Sequence, residues 1–167
     1  MRTNSKNTFS VFKNPIDDIE DIVHSYELEF LRNTFNEIVI YCQGNWTSHN
    51  VIFNWNPSNN IIRIQNNLDI LIPKKLSDKI RIMISIINED LKLGYFGFFS
   101  DKKSIYFQHN ILLKGQNYFS TEQIEECIDS IITDCDKYFP AFQIFLHKIN
   151  NPRIAIKSAL VETLGEA

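Results

Sequence analysis

The chain of 167 residues holds only five glycines. So few leave little material for a phosphate cradle, which needs glycine wherever backbone must approach a ligand closely. No glycine-rich phosphate loop, GxSxG elbow or HExxH pair occurs. Cysteine is nearly as scarce, with Cys42, Cys127 and Cys135 alone. An odd set of thiols suits a reducing compartment better than a disulfide scaffold. Cys127 and Cys135 stand too far apart for adjacent metal ligands, and His24, His49, His109 and His147 show no ligand spacing either. A concentrated basic surface is also missing. Lys and Arg number 17 against 20 Asp and Glu, for a net charge of -3 and a pI near 5.8, which argues against nucleic acid as a partner. The nearest basic run, "PKKLSDKIR", is broken by Ser77 and Asp78 and fits a solvated helix start. No apolar run approaches the roughly 20 residues that cross a bilayer. The opening "MRTNSKNTFSVFKNP" lacks the apolar middle of a secretion signal. These absences predict a cytoplasmic chain with no metal, no cofactor, no nucleic acid and no membrane among its partners.

What remains is an ordinary globular composition, 44% hydrophobic and 22% charged. Residues 1–13 are polar and unpatterned and are expected to form a flexible arm, with 14–167 as a single domain. "NPIDDIEDIVHSYELEF" opens a helix, with Asn14 as N-cap, Pro15 in the first turn and Asp17 and Asp18 at the positive end. Ile16, Ile19, Val23, Tyr26 and Phe30 continue it at helical spacing. Three strand-like runs follow, Phe35–Gln43, Ser48–Asn56 and Ile61–Ile72, separated by the turn signals "GNW" and "NPSNN". Val51, Phe53 and Trp55 share one strand face, as do Ile62, Ile64 and Leu68, with Asn66 as an exception. A second helix is expected from Ser77 to Leu93, closed by Gly94. Ile82 and Ile86 lie off its apolar stripe, so it carries more apolar surface than one sheet contact needs. The last long helix starts with the capping box "STEQ", and Pro140 is expected to kink or break it. A short tail helix capped by Asn151 completes the order α-βββ-α-ββ-α with a tail. That is an α+β fold, an antiparallel sheet with helices packed on it.

Between the second and last helices stands "LGYFGFFSDKKSIYFQHNILL", a hairpin dense in rings: Tyr95, Phe96, Phe98, Phe99, Tyr106 and Phe107. By strand alternation, both of its faces carry apolar side chains. Helices cover one face, and the other is expected to meet the tail, a second subunit or a client. Cys42 would serve as a nucleophile only if the fold brought His49 or His109 close. His109 shares a strand face with Ile105, Phe107 and Ile111, and otherwise reads as a histidine at the core edge.

"GNW", "VIFNWNP", "LDILIP", "INEDLKLGYFGFFS", "ECIDSIITDCDKYFPAFQIF" and the closing "ETLGEA" occur in that order. Together, from about Ile16 to Ala167, they resemble the YbjN-domain family, bacterial proteins labelled sensory transduction regulators. The resemblance is carried by Gly44, Trp46, Trp55, Asp69, Pro73, Asn88, Glu89, Gly94, Phe96 and Pro140 to Phe142. It implies a fold similar to type III secretion chaperones, no assigned catalytic residues, and a small protein that handles other proteins and commonly dimerises. The function expected is therefore a non-enzymatic protein-binding module, chaperone-like or regulatory, working as a homodimer. Ile82, Ile86, Tyr95, Phe96, Phe98, Phe99 and Tyr106 are the candidate protein-binding or dimer surface. The alternative is a small-molecule-binding protein or enzyme with a pocket near His109.

Overall fold

The computed structural model describes residues 14–115 and 120–164. The expected arm at 1–13, residues 116–119 between the hairpin and the last long helix, and the tail end at 165–167 lie outside the described residues. Helix α1 spans Pro15–Ser25 and is followed by strands β1 (Glu29–Thr34), β2 (Glu37–Gln43), β3 (Ser48–Asn56) and β4 (Ile61–Leu71). A 3-10 turn at Lys74–Leu76 leads into α2 (Ser77–Asn88), then β5 (Tyr95–Phe99) and β6 (Ser104–Leu112). Helices α3 (Thr121–His147) and α4 (Pro152–Leu164) complete the chain. The strands form one antiparallel sheet in the order β1-β2-β3-β4-β6-β5. The class and element order match the sequence reading, with one strand added in front.

That strand replaces the end of the expected first helix. α1 stops at Ser25, and Glu27 takes a left-handed conformation at φ 55°. The Glu27 amide donates to the His24 carbonyl and the Leu28 amide to that of Val23, which closes the helix. Glycine normally occupies such a position. Phe30, one helical step further in sequence, instead faces the core from β1 opposite Ile40. Helix α2 likewise ends at Asn88 rather than Leu93, while Gly94 holds φ 70° in the following turn. Its Cα lies against Phe107, where a Cβ would come within 2.6 Å of that ring. Pro140 does not break α3, which runs helical for 27 residues. The capping box of Ser120 and Gln123 forms as expected.

Burial alternates cleanly along β3 and β4, one residue in and one out. Only one face of the sheet is therefore covered, and every helix that touches it does so from that side. Ile38, Phe53 and Ile64 meet α1 and α3 there in one continuous core. The opposite face is open. Arg32, pointing inward from the edge strand β1, is ion-paired with both Asp17 and Glu20 and ties α1 to that edge. An inward charge on an outer strand also discourages another chain from pairing there.

Candidate interaction surfaces

Helix α2 has its inner side filled by Ile80, Met83, Ile84 and Ile87. Arg81 and Asn88 turn to β5, and Lys79 reaches the Asn150 carbonyl beside α4. Helical spacing then puts Ile86 on the Lys79 flank and Ile82 outward. Ile82 is 56% exposed and Ile86 is half-buried.

The hairpin divides its rings between two faces. Phe96 is buried, 1% exposed, with its ring edge-on to Phe107 (5.1 Å), Phe142 (5.5 Å) and Tyr138 (6.0 Å). It is a core residue and not part of any surface, because its strand face is the one α2 and α3 cover. Phe98 points the same way at the sheet margin, with the Arg81 guanidinium 5.0 Å above its ring. Tyr95, Phe99 and Tyr106 stand together on the open face. Tyr106 stacks on Phe99 at 4.1 Å and meets Tyr95 edge-on at 6.3 Å. The Tyr106 ring closes over Gly97, where a Cβ would lie 2.2 Å from Tyr106 Cζ. Glycine lets the tyrosine ring lie against the strand. Burial, with Tyr95 alongside, holds the Tyr106 hydroxyl pKa above its usual value. The surplus rings thus partly satisfy one another, but one side of their cluster still faces outward. The seven candidate residues therefore form no single patch. They fall into the outer flank of α2, the open-face cluster, Phe98 at the margin, and Phe96 in the core.

The outer edge of β5 is occupied. Asn88 donates from Nδ2 to the Phe96 carbonyl (3.0 Å) and accepts from the Phe96 amide (2.8 Å). A side-chain amide there takes the two backbone groups that an added strand would use. The sequence reading did not foresee this role, and "INED" gave no local cue beyond a polar residue at a helix end.

Under the "GNW" turn lies a buried polar centre, also unforeseen. His49 Nε2 is 3.1 Å from Asp136 Oδ1, and Asn66 Nδ2 donates to His49 Nδ1 at 2.9 Å and to Cys135 Sγ at 3.3 Å. With Nδ1 accepting, the ring proton sits on Nε2 and is donated to the carboxylate. The Asn45 amide donates to the other Asp136 oxygen at 2.5 Å. This explains Asn66 as the polar exception in the β4 stripe: it is fully buried and bonded on the core side. His49 and Asp136 are buried with it.

The arrangement is poor nucleophile chemistry. Burial raises the Cys135 thiol pKa to about 12 and that of Cys127 to about 11. Cys42 does pair across the strands with His49, meeting the condition set for it, yet that ring is engaged by Asp136 and Asn66. Burial, reinforced by Asp129, pushes the Cys42 thiol up as well. No group of three or more metal-ligating side chains is placed to hold an ion among the described residues. Beside His109, a hollow of about 500 Å³ is lined by Ile111, Glu122, Gln123, Glu126 and Cys127. Burial lowers the His109 pKa, which favours a neutral ring there. No helix is long and apolar enough to cross a membrane among the described residues.

A family model described as "YbjN: Putative bacterial sensory transduction regulator" matches residues 15–143. The chain belongs to this family. Neither the curated proteins nor the solved structures contain a match to it.

Proposed function

We propose that this YbjN-family chain is a cytoplasmic, non-catalytic protein-binding module, chaperone-like or regulatory, that works as a homodimer. The regulatory description of the family supports the class. The observation that carries the dimer is Ile82, exposed beside Ile86 on a helix whose inner side is already packed. Leaving the exposed part of Ile82 in water forgoes up to about 1.5 kcal/mol relative to full burial, so a second copy of α2 is a favourable cover. Tyr95, Phe99 and Tyr106 on the open face form the second contact area, for the protein partner. Purification of the tagged chain from its own cells tests this reading. A stoichiometric protein partner lost when Tyr95 and Phe99 are made polar supports it.

The hollow beside His109 favours one other reading, a small-molecule site. Binding there would raise the melting temperature by mass action. A saturable shift with one metabolite, abolished by His109→Ala, would carry that reading, and a flat panel counts against it.

A further inference from the structure

Helix α1 and the first half of α3 share one chemistry. Helix α1 carries Asp17, Asp18, Glu20 and Asp21 with no Lys or Arg. Residues 121–134 of α3 carry five more carboxylates and again no Lys or Arg. Nine of the chain's 20 acidic residues thus fall where none of its 17 basic ones does. Asp17 and Glu20 are paired with Arg32. Between the end of α1 and the start of α3 runs a groove of about 330 Å³. Its floor is apolar, formed by Ile22, Val23, Leu28, Ile124 and Ile128, and its rim carries Tyr26, Glu125 and Asp129. The helix closure at Glu27 shapes it, since it turns Leu28 back onto Val23. A hydrogen bond from the Tyr26 hydroxyl to Glu125, with that carboxylate's charge, holds the Tyr26 pKa above its usual value.

We propose that this groove docks a segment of a partner protein with aliphatic or aromatic anchors and Lys or Arg at its flanks. The anchors meet the apolar floor, and the flanks meet the rim carboxylates Glu125 and Asp129, which no Lys or Arg among the described residues pairs with. The inference extends the protein-binding reading to a named surface and partner chemistry. It does not depend on the α2 dimer. The chain's own residues 1–13 are the competing occupant, for they hold Arg2, Lys6 and Lys13 beside Phe9, Val11 and Phe12, with no acidic residue.

The test uses the full chain and three labelled peptides sharing one amphipathic apolar stripe, flanked by Lys/Arg, by Gln or by Glu. Fluorescence anisotropy should show saturable binding of the basic peptide alone, with backbone amide shifts centred on Ile22, Leu28 and Ile128. Glu125→Lys with Asp129→Lys should weaken it about tenfold and favour the Glu-flanked peptide instead. The same charge change at Glu89→Lys with Asp90→Lys, exposed at the end of α2, should leave binding unchanged. Equal weakening by both double variants, or no preference among the peptides, would overturn the proposal. So would a tenfold gain in peptide affinity when Arg2, Lys6 and Lys13 are changed to Glu, which would assign the groove to the chain itself. Dimer mass is measured separately, so failure here and failure of the α2 interface are told apart.

Discussion

At Gly44 the backbone passes so close to the His49–Asp136 pair that a methyl group would sit 2.4 Å from the imidazole and 2.6 Å from the carboxylate. Neither neighbour has room to withdraw, since both are buried and hydrogen-bonded. Gly44→Ala should therefore cost about 2–3 kcal/mol in urea unfolding, at the upper end for overpacking, because it also disturbs a buried hydrogen-bond network. At Gly97 the intruding atoms belong to the end of the Tyr106 ring, which can swing outward, so the two glycines differ in kind. The cysteines give a second prediction. With their thiols held protonated by burial, none of the three should react with iodoacetamide at pH 7.5 on the minute scale, while unfolded protein reacts throughout. Rapid labelling of native Cys42 or Cys135 would contradict the geometry described. At this scale the sequence was partly legible. Asn66 was visible as a polar break in an apolar stripe, but its partners His49 and Cys135 lie 17 and 69 positions away, beyond any local pattern.

For the elements, periodicity located nearly all of them and misplaced two ends. Phe30 satisfies both the helical stripe from Ile16 and the alternation of β1, so spacing alone could not separate the two. The deciding feature was Glu27 in a conformation that side chains disfavour by about 1–2 kcal/mol. Replacing it by glycine should raise stability by about 0.5–1 kcal/mol, after allowing for glycine's greater freedom when unfolded. A thermal melt shifted downward instead would mean that Glu27 makes contacts worth more than its strain. Pro140 was expected to interrupt α3. The helix tolerates it because the cost is confined to the Asp136 carbonyl, which loses its amide donor, and packing holds the rest: Ala141, Phe142 and Phe145 are all buried. The edge of β5 yields the fourth prediction. Asn88→Ala should remove two hydrogen bonds to Phe96, cost about 1–3 kcal/mol, and increase aggregation on heating as the edge is uncovered. Unchanged stability and solubility would show that the edge needs no guard.

The whole molecule is one-sided three times over. Helices cover one sheet face and leave the other open, carboxylates crowd α1 and the first half of α3, and the aliphatic excess sits on the outside of α2. The α+β class, the antiparallel sheet and the family were readable from strand alternation and ordered motifs. The division of the hairpin rings was readable too, since alternation put Tyr95 and Phe99 opposite Phe96. Which face the helices take is a tertiary outcome, and that alone moved Phe96 from surface to core. The claim on which the functional account turns is self-association through α2. Sedimentation equilibrium of the unmodified chain, alongside Ile82→Asp with Ile86→Asp, tests it directly. The account predicts that the unmodified chain sediments at twice its 19.6 kDa, and that the double variant, with an unchanged circular dichroism spectrum, sediments as the monomer. A monomeric unmodified chain, or a folded double variant that stays dimeric, would contradict it.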